Sequence, residues 1–191
     1  MKYTLVMAVL ALIFVSAKPT PPVHYETAGL VKEEYKLNSG SRPGGVTRQV
    51  VTLSIPAGTE YVYYSVTTSP KGPLQDLALH TQLHKRVTEQ GFSMSVASSI
   101  LNELLVPQGD GVCDVIFLDG EGDAQRFLNK QDGSVTYIGN YNRLNVSKAV
   151  VGIPIPISIL PTTKYLCIRN PSAFNAQFVS VEVVAIVKKL K

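Results

Sequence analysis

Hydrophobic and polar positions alternate with a period of two along much of this chain, the pattern of strands buried on one face. Over residues 48–55, Val51, Leu53 and Ile55 fall on one side while Thr52 and Ser54 face the other. Pro56-Ala57-Gly58 punctuates the run. Residues 61–68, dense in Tyr, Val and Thr, then predict a second strand joined to the first as a hairpin. The clearest alternation is over 178–187, where Val179, Val181, Val183, Ala185 and Val187 share a face. Further strands are predicted over 113–118, 135–138, 144–153 and 165–169. Residues 113–118 are apolar on both alternating faces except at Asp114, as in a strand covered on both sides.

A different period governs residues 74–106. Met94, Ala97, Leu101, Leu104 and Leu105 recur three and four apart, with Val96 and Ile100 widening the stripe. Ser93 or Ser95 can cap that helix. A weaker helical pattern occupies 74–88, and this helical segment is the simplest cover for strand 113–118. Residues 124–129 predict one or two more helical turns, and Asp132-Gly133 a hairpin corner. About seven or eight short strands with turn signals between them make a mainly β fold, an antiparallel, jelly-roll-like β-sandwich with a helical insertion at about 74–106. Strands and helices do not alternate, which argues against a parallel α/β sheet.

The first seventeen residues change the picture of where the chain goes. Lys2 supplies a charge, residues 4–15 are almost wholly apolar, and Val15-Ser16-Ala17 offers a small-x-small exit. This is the pattern of a secretory signal peptide over 1–17, shorter than the about 20 apolar residues of a membrane span. The chain is therefore expected to be secreted and extracellular, or periplasmic in a bacterial source, with no membrane span. Residues 18–46, rich in Pro, Gly and Ser, read as an extended or flexible arm in which a short pairing segment around 25–31 is accommodated. The sandwich domain is expected over 47–191.

Of 191 residues, 45% are hydrophobic and 17% charged, so one domain can bury a core. The net charge of +4 is spread along the chain, whereas nucleic-acid binding needs clustered Lys and Arg, so no nucleic-acid partner is expected. Export permits a disulfide, and two cysteines allow only the Cys113–Cys167 pairing. The alternative is two separate buried thiols, because Cys113 alternates with Val115 and Phe117 while Cys167 alternates with Tyr165 and Arg169.

Candidate chemistry is sparse. His80 and His84, four apart, would project together from a helix and could grip a metal, with Asp76 one turn earlier as a third ligand. Thr81 stands where His-Glu-x-x-His would place its general base, which removes that hydrolytic route. Asp119, Glu121 and Asp123 alternate like calcium ligands, but Ala124 and Lys130 break the loop pattern, leaving an acidic surface turn. Asp114 reads as the solvated end of its strand; facing the core, its pKa would rise. No nucleophile motif is present, and no cofactor is implied. Tyr137, Asn140, Tyr141, Asn142 and Arg143 concentrate aromatic and hydrogen-bonding groups on one connection, a composition suited to ligand contact. Tyr61, Tyr63 and Tyr64 form a second aromatic group. Asn145-Val146-Ser147 is a glycosylation sequon, meaningful in a eukaryotic source. The Ile-Pro-Ile-Pro-Ile sequence within 150–160 could dock a partner or pad the core.

Two segments resemble a known family. Tyr165-Leu-Cys-Ile-Arg-Asn170-Pro followed by 178–186, together with Cys113-Asp-Val-Ile-Phe-Leu-Asp119, is similar to the Golgi-dynamics (GOLD) domain and related jelly-roll modules, over about a third of the chain. The resemblance implies a sandwich and transfers no functional residue. It departs at 74–106, whose helices have no counterpart in that family. The expected function is a secreted, non-catalytic β-sandwich that binds an extracellular protein or glycan or serves a structural association. A secreted hydrolase with a site near Asp114, His80 and His84 is the alternative.

Overall fold

The computed structural model describes residues 23–72 and 77–190, so the expected leader over 1–17 lies outside the described residues. Strands β1 (Val23–Leu37), β2 (Arg48–Ile55) and β3 (Thr59–Ser69) precede helices α1 (Leu79–Gln90) and α2 (Met94–Glu103). Then come β4 (Cys113–Leu118), α3 (Glu121–Leu128), β5 (Arg143–Val146), β6 (Lys148–Pro154), β7 (Thr162–Arg169) and β8 (Gln177–Leu190). Every pairing is antiparallel. One sheet has the order β1-β8-β3-β6 and the other β2-β7-β4-β5.

The two sheets face each other across a single apolar interior. Val62, Tyr64 and Val66 of β3 and the five alternate residues Val179 to Val187 of β8 meet Val51, Leu53 and Ile55 of β2 and Cys113, Val115 and Phe117 of β4. These are the inward positions that the period-two patterns of β2 and β8 predicted. Each fully buried aliphatic side chain contributes about 1.5–3 kcal/mol.

Both sheets are also covered from outside. Tyr61 and Tyr63 of β3 and Val184 and Ile186 of β8 pack beneath Leu79, Leu83 and Val87 of α1 and Ala97 and Ile100 of α2. The start of α1 is fixed from below: Leu79 and His80 donate their backbone N–H groups to the buried Glu182 carboxylate of β8, at 2.8 and 3.0 Å. A carboxylate at that end satisfies orphan donors and complements the helix dipole. Ser93 caps α2 by accepting from Val96 N–H, as its sequence signal predicted. On the other sheet, Ala124 and Phe127 of α3 cover Ile116, Leu118 and Cys167.

Several expectations are corrected. The expected arm includes β1, which pairs with β8 along its whole length, so the sheet begins at residue 23 rather than 47. Its pattern was weak because it is an edge strand with a bulge between Gly29 and Val31, and its charges Lys32, Glu33, Glu34 and Lys36 are all exposed. β2 and β3 are not a hairpin. They lie in different sheets, and the connection 56–58 carries the chain across the sandwich. Gly58 turns it with φ +76°, and a Cβ there would stand 2.8 Å from the Lys188 carbonyl oxygen. The helical segment covers the first sheet and not β4, whose outer face belongs to α3. Residues 135–138 form no strand and follow a single 3-10 turn at Asp132–Ser134. The predicted strand over 144–153 is two strands, β5 and β6, broken at Ser147.

Candidate functional site

β4 and β7 run side by side at the centre of the second sheet and place two charges opposite each other, Asp114 against Arg169. Both lie on the outward face, among residues that alternate with the core positions. Asp114 is 2% exposed, so it is a buried carboxylate and not the solvated strand end its sequence suggested. Three donors hold it: Arg169 Nε at 2.8 Å, Arg169 Nη2 at 2.5 Å and Asn145 N–H at 2.8 Å.

Asp132 extends this pair into a cluster. Its carboxylate takes Arg169 Nη1 at 2.9 Å and two hydrogen bonds from Arg48, whose guanidinium also lies 4.8 Å from the Phe127 ring centre. Hydrogen bonding to Arg48 holds the Asp132 carboxyl below the usual carboxylate range; burial opposes this, and the charges of Arg48 and Arg169 add to it. Burial alone would lower the Arg169 pKa, but the hydrogen bond and charge of Asp114, with the charge of Asp132, leave it raised. Two guanidinium groups thus balance two carboxylates, and the cluster carries no net charge.

Beside it lies a hollow of about 410 Å³ lined by Ile116, Tyr137, Gly139, Asn142, Leu144 and Arg169. Its polar groups are mostly donors. Asn142 spends its side-chain oxygen on Phe117 N–H at 3.0 Å, which leaves its amide nitrogen without a partner among the described residues. Arg169 has five N–H groups and uses three on the carboxylates. Tyr137 donates to the Asp132 carbonyl at 3.3 Å and stays 42% exposed, with its ring available at the rim. Leu144, 58% exposed, and Ile116 supply apolar wall.

The predicted ligand-contacting residues divide here. Tyr137 and Asn142 line the hollow. Asn140 is exposed near it, its carbonyl accepting from Arg143 Nη1. Arg143 is committed to the Asn140 and Asn142 carbonyls and shapes the connection rather than facing a ligand. Tyr141 turns inward, edge-on to Phe117 across 6.5 Å, while Tyr64 OH donates to its carbonyl. Tyr61, Tyr63 and Tyr64 are buried and belong to the packing of β3. Sequence reasoning missed Arg169, Leu144 and Ile116. One signal was available: Asp114 and Arg169 are lone opposite charges in two otherwise apolar runs.

The remaining candidates are placed elsewhere. His80 Nε2 and His84 Nδ1 both approach Thr27 Oγ1, at 3.3 and 3.0 Å, with ring centres 6.2 Å apart. Asp76 lies outside the described residues. Among those described, no group of three or more His, Cys, Asp or Glu side chains could hold a metal ion. The histidines sit on α1 over the first sheet and Asp114 on the outer face of the second, so the three do not converge as the hydrolase alternative requires. The acidic turn is internally used: Asp119 pairs with Lys164, and Asp123 with Arg126 and Thr136 N–H. Asn145 is exposed, in the left-handed region at φ 53°.

Cys113 and Cys167 are unbonded and buried, the arrangement of the two-thiol alternative. Cys113 points into the core between the sheets while Cys167 packs under α3 on the opposite face of the same sheet. Burial pushes both thiols up to about 12, with the Asp114 charge adding to the effect at Cys113. No helix among the described residues is long and apolar enough to cross a membrane.

The chain thus defines a class, a mainly β protein of two facing antiparallel sheets with a hollow beside Arg169 on the outer face of the second. No protein-family model matches it, and no curated protein matches it in sequence.

Proposed function

We propose that this protein is a secreted, non-catalytic binding module, an eight-stranded jelly roll that holds a sugar residue of an extracellular glycan in the hollow beside Arg169. The observation that carries this reading is the combination of unused donors with zero net charge. The Asn142 amide and the spare N–H groups of Arg169 call for oxygen acceptors, yet Asp114 and Asp132 already neutralise the guanidinium. An anion would be the third negative group on one cation, so an uncharged, oxygen-rich ligand fits better. The half-exposed Tyr137 ring and Leu144 offer the apolar face on which a sugar ring stacks.

Export is supported by the leader pattern of residues 1–17. The jelly roll is supported by the strand orders β1-β8-β3-β6 and β2-β7-β4-β5, which two successive Greek keys would generate, and by the GOLD-like segments, which speak only for architecture. Proton transfer needs a titratable group free to exchange with substrate. The acids beside the hollow, Asp114 and Asp132, are both held in ion pairs, which favours binding over chemistry.

A glycan array probed with the secreted chain, followed by calorimetry on any hit, tests this. Asn142→Ala and Tyr137→Ala should each weaken a genuine ligand about tenfold; Tyr137→Ala should leave the unfolding midpoint nearly unchanged, whereas Asn142→Ala also lowers it by stranding Phe117 N–H. Retention of no neutral glycan, or retention indifferent to both substitutions, would reject the reading.

A further inference from the structure

The connection between β6 and β7 answers the question raised by its Ile-Pro-Ile-Pro-Ile sequence in two halves. Ile153 and Ile155 pad the core, at 1% and 8% exposed. Beyond Pro156 the chain leaves the core, and Ile157, Ile159 and Leu160 stand 65%, 91% and 67% exposed. Three large aliphatic groups in four residues of one loop are a concentrated apolar tip, unlike single exposed residues scattered on a surface. No charged residue occurs from 149 to 163.

Two further features bear on what would cover this tip. The loop satisfies part of its own backbone. Pro156 and Pro161 have no N–H, Ile155 N–H donates to the Glu60 carbonyl, and Leu160 N–H donates to Ser158 Oγ. The Ser158 carbonyl accepts from Gly58 N–H at 2.9 Å. The N–H groups of Ile157, Ser158 and Ile159 have no partner among the described residues and would look to headgroup oxygens or water for one. The second feature is charge. The Gly58 carbonyl accepts from Lys188 N–H at 2.8 Å, which brings the basic end of β8 beside the loop. Lys188 reaches Glu60, Lys164 at the start of β7 reaches Asp119, and the exposed Lys189 has no ion pair among the described residues.

The geometry points to a docking tip for an anionic lipid bilayer: Ile157, Ile159 and Leu160 enter the acyl boundary while the exposed, unpaired Lys189 at the end of β8 meets a headgroup phosphate. Aliphatic groups next to an exposed lysine match the layered polarity of such a surface. A protein partner is disfavoured by composition. A stable protein interface covers about 800 Å² on each side around aromatic and Arg anchors. This tip is made of Ile, Leu, Ser and Pro with no aromatic or Arg residue. The inference does not depend on the hollow or its ligand.

Co-sedimentation tests it, using the secreted chain, checked by mass for loss of the leader, with phosphatidylcholine vesicles prepared with and without phosphatidylserine. The chain should pellet with the phosphatidylserine vesicles and release as salt is raised. The triple variant I157S/I159S/L160S, whose altered side chains are outside the core, should keep the wild-type unfolding midpoint and lose binding about hundredfold. Lys189→Glu should weaken it about tenfold. Failure to pellet with either vesicle, binding indifferent to phosphatidylserine, or a triple variant that binds like the wild type would each overturn the proposal. So would concentration-dependent self-association of the wild type abolished in the triple variant, which would make the tip an interface between two copies.

Discussion

The buried carboxylate of Asp114 offers the sharpest test of how the second sheet is held together. Asp114→Ala removes an acceptor that is 2% exposed and serves three donors. The Asn145 N–H loses its partner, at a cost of about 1–3 kcal/mol where water does not replace it. Arg169 loses two of its three bonds. Breaking a buried ion pair from one side costs about 3–5 kcal/mol. Arg169 is 30% exposed on its side chain and retains Asp132, so solvent and the second carboxylate recover part of that. The net expectation is about 2–4 kcal/mol, which for a domain of this size is a fall in Tm of roughly 5–15 °C. Asp114→Asn keeps an acceptor for Asn145 N–H but sets an amide NH2 where Oδ2 took both Arg169 bonds, so it should spare only the Asn145 part of the cost. Urea unfolding of the three proteins measures both. The decisive arm is the double variant Asp114→Leu with Arg169→Met. If the pair's value is largely the penalty for orphaning its partner, the double variant is more stable than Asp114→Ala. An Asp114→Ala protein within about 0.5 kcal/mol of the wild type would refute the account, since surface substitutions do no more than that.

Two further outcomes follow from the same geometry. With both thiols buried and raised to about 12, a thiol reagent at mildly alkaline pH should label neither cysteine in the folded chain and both in denaturant, and reductant should leave the unfolding midpoint unmoved; no label in denaturant would restore the disulfide. Asp132 is depressed when folded, so its contribution is complete above its unfolded pKa of about 4 and is lost as pH falls through the lower folded value. Its side chain is a third exposed, which keeps that contribution below about 1 kcal/mol; Asp132→Asn should flatten the acid limb of the stability profile, and parallel limbs in variant and wild type would refute the assignment.

What could be read from the sequence, and what could not, divides along the reach of the interactions involved. The inward faces of β2 and β8 and the Ser93 cap were legible because each is written in neighbouring residues. Membership of a sheet is not written locally. β2 and β3, only three residues apart, looked like a hairpin but went to opposite layers. β3 is buried along all of its length and needs neighbours on both edges, while β2 keeps Thr52 and Ser54 exposed and accepts an edge position. β1 escaped notice for the complementary reason. An edge strand carrying charges has little apolar period to display, and its partner β8 lies at the far end of the chain. The hollow shows the same limit. Tyr137 and Asn142 were found by composition, since they sit on one connection. Arg169 was missed because its role depends on Asp114, 55 residues away, and that partnership exists only once β4 and β7 are in register. The site is therefore a product of the sheet rather than of any one segment, and the residues that organise it are those that folding brings together last in sequence distance.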